Sequence, residues 1–229
     1  MRPVSKGFTL IEIAIVLVII GLLLGGVLKG QELITSARVR NLISQQDGIK
    51  AAFFGFQDRF RALPGDYAAA STNINGVTIN GDGNGQIDPT NVAGTGESIL
   101  VWNHLTAAGF LNGSYSMATS TTIVPADTNT PKNPYSVYVQ LVYDNNYGSG
   151  TVPSKHNLKT GGQIPVEIVA EVDRKIDDGN PYSGSFQFSP YVPSGGTAPD
   201  PATCITGTGP TATWAIGNSQ TNCEGASLF

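Results

Sequence analysis

Residues 1–30 of the chain read MRPVSKGFTLIEIAIVLVIIGLLLGGVLKG. A short basic leader ends at Gly7, and residues 8–28 are apolar except for one carboxylate, Glu12. An apolar run of about 20 residues is long enough to cross a bilayer as a helix. A charged side chain in such a segment is costly, and it usually has a function and a partner. The stretch therefore predicts a membrane helix with one functional carboxylate near its start.

The position of the small residue separates this stretch from an ordinary secretory signal. A secretory signal has its small-residue cleavage site after the apolar run, whereas Gly7 precedes the run here. An ordinary signal anchor would give no reason for either Gly7 or Glu12.

Residues 6–12, KGFTLIE, resemble the class III signal of type IV prepilins and pseudopilins. The resemblance implies cleavage after Gly7 by a prepilin peptidase, N-methylation of the new amino terminus on Phe8, and an assembly role for Glu12. It also implies a single-pass precursor in the bacterial inner membrane, with its N-terminus cytoplasmic. Sister pilin subunits would be its partners in an extracellular or periplasmic filament.

The partner of Glu12 follows from electrostatics. A carboxylate in hydrocarbon requires a counter-charge, and cleavage would create a positive amine at Phe8. The amine of a neighbouring subunit would make Glu12 a register device for polymerisation. The amine of its own chain is the rival partner, because Phe8 and Glu12 lie four residues apart on one helix face.

The helical pattern continues past the membrane segment. Apolar positions at spacings of three, four and seven predict one buried helix face, formed by Leu33, Ala37, Leu42, Ile49, Phe53, Phe56, Phe60 and Leu63. Pro64-Gly65-Asp66 should end this helix. We predict four segments, which are a leader at 1–7, a transmembrane and assembly helix at 8–28, the amphipathic half of the helix at 29–63, and an extracytoplasmic head at 64–229.

The head should combine short helices with a small antiparallel sheet, which gives an α+β, pilin-like fold. Periodicity predicts helices at 97–108 and 165–178 and strands at 135–143 and 185–189. His104 would lie on a helix surface and His156 in a loop.

The composition describes a loop-rich head with little surface charge. Only 13% of the 229 residues are charged, 28 are Gly and 14 are Pro, and the formal net charge is −4. An acidic head disfavours a nucleic-acid surface. The sequence contains no catalytic constellation, so we do not expect an enzyme.

Cys204 and Cys223 are the two cysteines of the chain. In an oxidising compartment they should pair and close a C-terminal loop.

The segment Asn80 to Asn91 follows the pattern of a calcium loop, with oxygen ligands at alternating positions and a central glycine. Its candidate ligands are Asn80, Asp82, Asn84, Gln86, Asp88 and Asn91. The first ligand is Asn rather than Asp, and the twelfth is Asn rather than a bidentate Glu, so binding of Ca²⁺ should be weak. Glu97 would compensate if the chain folded back. The alternative is a Gly/Asn/Asp turn without metal.

Asp173, Asp177 and Asp178 form a second acidic group. It would be either a further calcium element or a solvated helix end.

These features predict a structural subunit of a type IV filament, either a pilus subunit or a minor pilin. The closest alternative is a pseudopilin of a type II secretion system. A rival from another class is a membrane-anchored adhesin or sugar-binding protein, for which Tyr182, Tyr191 and Trp214 would be candidate contacts unless they pack in the core. Softer resemblances to bacterial pilin-like proteins with larger heads lie at 63–66, 97–115 and 175–179.

Overall fold

The computed structural model describes residues 9–89, 96–117, 124–192, 196–218 and 220–229. The chain divides into two compact units, Met1–Arg38 and Val39–Phe229. The helices are α1 (Leu10–Phe60), α2 (Ala70–Asn73), α3 (Glu97–Ala107), α4 (Val166–Ile176) and α5 (Pro201–Cys204), with 3₁₀ turns at Gly209–Thr211 and Ile216–Asn218. The strands are β1 (Gln140–Asp144), β2 (Lys155–Lys159), β3 (Phe186–Phe188), β4 (Ile205–Thr206), β5 (Thr213–Trp214) and β6 (Gly225–Leu228).

Helix α1 buries one face only within the second unit. The buried side chains begin at Val39 and include Leu42, Phe53 and Phe56, whereas Leu33, predicted to be buried, is 63% exposed. The apolar stripe was therefore predicted to begin too early, because residues before Val39 belong to the other unit.

The end of α1 lies three residues before the predicted end at Leu63. Arg61 adopts a φ of 53°, a left-handed conformation in which an α-helix cannot continue. The Pro64-Gly65 turn follows this break rather than causing it.

Four antiparallel strands form the main sheet in the order β1-β2-β6-β3. Leu141 in β1 pairs with Leu158 in β2, and Ser227 in β6 pairs with both Leu158 and Phe186. Leu141 and Leu158 pack in one core cluster with Phe53 and Phe56 of α1. Phe186 and Phe188 pack in a second cluster with Leu42 and helix α4. The core thus lies between the sheet and the helices.

Helices α3 and α4 and strand β3 lie within the predicted ranges, but the strand predicted at 135–143 is shorter. Ser136 has a φ of 64°, and the Asn133 side chain accepts hydrogen bonds from Tyr135 N and Val137 N. A side chain that satisfies these backbone groups replaces the strand ladder. The regular strand therefore begins at Gln140.

The expected disulfide between Cys204 and Cys223 is present, and both residues are buried. Cys223 N donates to Ile164 O at 2.9 Å, and Ala215 N donates to Cys204 O at 2.9 Å. The bridge therefore closes a loop that is already tied to the start of α4 and to the β4–β5 hairpin.

Candidate functional site

The start of α1 is organised around Glu12. The Glu12 carboxylate accepts hydrogen bonds from Thr9 N and Thr9 Oγ1, both at 2.8 Å. Within this chain the Glu12 carboxylate therefore accepts a hydrogen bond from a backbone N–H at the start of its own helix that has no partner inside the helix. Gly7 and Phe8 lie outside the described residues, so their roles in processing stay predictions.

Side chains 10–28 of α1 are exposed. Among the described residues one helix, α1, has the length and composition to cross a membrane, with a mean hydropathy of 2.8 over its best 18-residue window. A continuous apolar surface of this extent requires cover by lipid or by other helices.

The second site is the loop at residues 80–88, which wraps around a buried carboxylate that the linear motif did not include. Asp66 is 4% exposed. Its carboxylate accepts hydrogen bonds from Asn84 N and Gly85 N, each at 2.9 Å. A Cβ on Gly81 would lie 2.2 Å from the Asp66 backbone, so only glycine permits this close approach.

Glu97, the first residue of α3, closes the loop from the other side. It is 3% exposed, and its two oxygens accept hydrogen bonds from Asp82 N at 3.0 Å and from Asp88 N at 3.1 Å. The chain therefore folds back as the sequence allowed. Carboxylate oxygens of Asp66, Asp82 and Glu97 lie within 4.8 Å of one another.

The other predicted ligands have different partners. Asn80 Oδ1 accepts from Ser71 N at 2.8 Å, and Asn84 Oδ1 accepts from Gln86 N at 2.7 Å. The Asn84 amide nitrogen donates to Asp82 and Asp88, both at 3.1 Å. Asn91 lies outside the described residues.

His104 holds the loop against α3. The prediction that it lies on a helix surface was wrong, because the structure buries it completely. Its Nδ1 accepts from Gly65 N at 3.0 Å, and its Nε2 lies 3.2 Å from Ile79 O, so the ring proton belongs on Nε2. Burial lowers the pKa of His104 to about 4, and the ring is therefore neutral at pH 7.

The electrostatics of the loop favour a cation. The pKa of Glu97 is raised to about 7, mainly by burial and also by the charges of Asp66 and Asp82, against the opposing effect of the hydrogen bonds from Asp82 N and Asp88 N. Burial likewise raises the pKa of Asp66. When these carboxyl groups are ionised, their negative charges repel one another at this short distance. A bound divalent cation would offset that repulsion. These donors suit Ca²⁺, which prefers carboxylate and carbonyl oxygens.

The second acidic group is bound by protein donors. Asp173 accepts from the indole N–H of buried Trp214 at 2.6 Å. Asp177 accepts from Phe186 N at 2.7 Å. Asp178 accepts from the Ser183 hydroxyl at 2.6 Å. These contacts connect α4 to β3 and to the disulfide loop, and they give the group a structural role.

The candidate sugar contacts are largely in the interior. Trp214 is 4% exposed and Tyr191 is 9% exposed, while Tyr182 packs partly buried against the core. A polar cleft of about 640 Å³ beside the disulfide loop is lined by Gln163 and Asn222, among others. Asn222 Oδ1 accepts a hydrogen bond from Gln163 N, and Asn222 Nδ2 donates one to Thr197 O. Both polar groups of this side chain therefore already have protein partners.

The prokaryotic N-terminal methylation motif matches residues 2–28 of the chain. No curated protein and no solved structure matches the chain. The chain therefore carries a type IV pilin-like class III signal, and the predicted pilin-like α+β fold is confirmed by the long apolar helix and the four-stranded antiparallel sheet. The motif points to a structural subunit and fits a precursor anchored in the inner membrane.

Proposed function

We propose that this protein is a structural subunit of a type IV filament, either a pilus subunit or a minor pilin. The observation that carries the proposal is the methylation motif at residues 2–28, continued by an apolar helix whose side chains 10–28 are exposed. In a filament, the helices of sister subunits would cover this surface. Glu12 would then exchange its hydrogen bonds to Thr9 for the amine of a neighbouring subunit.

The closest alternative is a pseudopilin of a type II secretion system, which would use the same processing. The large head and its long loops favour a pilus subunit, whereas the calcium-like loop favours a pseudopilin. An adhesin that never polymerises gives no reason for a carboxylate at Glu12, and its candidate aromatic contacts are largely buried.

Processing tests the proposal. In cells with active prepilin peptidase, mass spectrometry should find a mature chain that begins at N-methylated Phe8. A Gly7→Leu variant should keep residues 1–7 and should not be methylated at Phe8. A wild-type chain that still begins at Met1 would exclude the filament role.

We also propose that the loop at residues 80–88 binds Ca²⁺ weakly, with Asp66 and Glu97 added to the predicted ligands. The proposal is supported by three carboxylates with oxygens within 4.8 Å and by the raised pKa of Glu97. The ion would link the start of α3 to the turn that follows α1, and it would thereby order this part of the head.

Calcium should raise the melting temperature of the full chain in detergent. If Kd is roughly 1 mM, as in weak extracellular modules, roughly 10 mM Ca²⁺ would be tenfold above it. This stabilises the native state by about 1.4 kcal/mol and raises Tm by roughly 3–6 °C. Magnesium should do less, because it retains its waters.

Matched variants locate the ion. Asp82→Asn preserves size but removes a ligand charge, and it should abolish the calcium response. Asp88→Asn tests whether Asp88 contributes to calcium binding. Asp58→Asn changes an exposed position on α1, and its melting temperature should rise with calcium as that of the wild type does. If the wild type gives equal melting curves in calcium and in chelator, residues 80–88 are a turn that does not bind calcium.

A further inference from the structure

The face of the main sheet opposite Leu141 and Leu158 carries buried polar side chains. Gln140 pairs with Lys159 across β1 and β2, and Asp144 pairs with Lys155. Because side chains alternate along a strand, Gln140, Asp144 and Lys159 share this face. Lys159 thus extends diagonally along its neighbouring strand toward Asp144.

Lys159 is fully buried. Its Nζ contacts Asp144 Oδ2 directly and donates to Gln140 Oε1 at 3.2 Å. The ring of Tyr191 covers it, with its centroid 5.3 Å from Nζ. The Asp144 side chain retains 18% exposure. A primary amine therefore touches a carboxyl group in a site that excludes most water.

A second carboxyl group is buried beside this pair. Glu224 immediately precedes β6, whose Ala226 pairs with Lys159, and it has no exposure. Among the described residues, neither Glu224 oxygen has a hydrogen-bond partner of ordinary geometry. Its charge interacts with those of both Lys159 and Asp144. A simple Lys159–Asp144 ion pair leaves this third ionisable group buried without an ion-pair partner of its own, which is costly, although Ser189 and Gly161 lie close enough to favour its charged form.

Burial favours the uncharged forms of Glu224 and Lys159. It raises the pKa of Glu224 well above its usual range and lowers the pKa of Lys159. A neutral amine is a nucleophile, and a neutral Glu224 can donate the proton that a leaving oxygen requires.

The other oxygen of Asp144 is held by two donors. Asp144 Oδ1 accepts from the Asn157 side-chain amide at 2.8 Å and from Asn146 N at 3.1 Å. Donors at this distance stabilise the negative charge that develops on a carbonyl oxygen when a nucleophile adds to its carbon.

We propose that Lys159 and Asp144 become joined by an amide bond in the folded head, with Glu224 as the group that transfers the proton. The neutral Nζ adds to Asp144 Cγ, the Nζ–Cγ bond forms, and the Cγ–Oδ2 bond breaks. Oδ2 leaves as water with one proton from neutral Glu224 and one proton from Nζ, and Glu224 then carries the negative charge that Asp144 had. Nothing is oxidised or reduced. Water leaves through the exposed edge of Asp144.

Fixed contact makes this condensation feasible. Groups held in reactive geometry reach effective concentrations of about 10⁵–10⁸ M. The neutral amide also replaces a buried ion pair. The product would cross-link β1 to β2 and protect this edge of the sheet against pulling and proteolysis.

Peptide mapping of the full chain, purified in detergent with its disulfide reduced, tests the proposal. Trypsin should release residues 133–155 joined to residues 156–174, because an acylated Lys159 is not cleaved. The joined peptide should weigh one water less than its two parts. Separate peptides that end at Lys155 and Lys159 would overturn the proposal and leave an ion pair only, whether or not any variant folds.

Variants assign the roles. Lys159→Arg should abolish the link, and Lys155→Arg, at the exposed register partner of Asp144, should retain it. Asp144→Asn should give a product of the same mass as wild type by losing ammonia in place of water. Glu224→Gln should fold but remain unlinked, and a normal yield of linked peptide in this variant would refute the role of Glu224. Loss of ammonia from the wild type would identify Gln140 as the acceptor and overturn the assignment to Asp144.

Discussion

Replacing Glu12 by valine should block incorporation into filaments while leaving membrane insertion intact. The carboxylate lies in the first turn of an apolar helix, where it accepts hydrogen bonds from Thr9. A charged side chain at the centre of a membrane helix costs about 2.5–3.5 kcal/mol, so valine should insert at least as well. A functional reason for keeping the charge is a partner in the assembled state.

The expected loss of incorporation is large. A buried, hydrogen-bonded charge pair that loses one partner costs about 2–5 kcal/mol, which corresponds to at least roughly 30-fold in an equilibrium. Incorporation can be measured as the fraction of subunit in sheared filaments relative to the fraction in membranes. Glu12→Asp should recover part of it.

Glu32→Gln provides the matched control on the same helix. Glu32 is exposed and pairs with Lys29 at 2.6 Å, a surface contact worth little. It should assemble as wild type does. Normal incorporation of Glu12→Val, with the control also normal, would remove the register role from Glu12.

Removing the disulfide should produce the second large effect. Cys204 and Cys223 are buried in one cluster with Trp214 and Val39, and their sequence separation is 19. The closed loop contains the β4–β5 hairpin and Trp214, whose indole bonds Asp173. Without the bridge, the unfolded chain has more conformational entropy, which lowers the free energy of unfolding. The hydrogen bond between Trp214 and Asp173 is then also less strongly held in place.

The Cys204→Ala/Cys223→Ala variant should lose about 2–5 kcal/mol of unfolding free energy. For a chain of this size, Tm should fall by roughly 4–20 °C. Limited proteolysis should cut the segment between the two positions faster than in wild type. Thr208→Ala, an exposed change inside the same loop, should alter neither readout. If the double variant has the same Tm as the wild type, the disulfide contributes nothing to stability.

Local signals predicted the elements that have strong periodicity. Helix α4 has apolar residues at helical spacing, with Pro165 before it, and β3 lies within the predicted strand. By contrast, β2 reads KHNLK and β6 reads GASL, and neither shows an alternating apolar pattern. Their strand conformation depends on partners distant in sequence, which propensity does not encode. The prediction that His156 lies in a loop was therefore wrong, because it pairs with Tyr143 in the sheet.

The sequence predicted only those parts of the loop site that depend on a local pattern. The alternating oxygens at residues 80–88 are a local pattern, and Glu97 was recognised as a possible addition. Asp66 was missed because it joins the loop only through tertiary packing, although an Asp directly after the Pro64-Gly65 turn was a usable signal. The neutral, buried state of His104 was missed as well, since one polar residue on a helix gives no sign of what will cover it.

The position of β6 in the sheet limits the order in which the head can fold. Residues 225–228 form the strand between β2 and β3, so the sheet cannot close until this segment has joined it. Until then the edges of β2 and β3 are unpaired, and unpaired edges invite association with other chains. A chain terminated before Gly225 would keep its anchor and its first helices but could not complete the sheet.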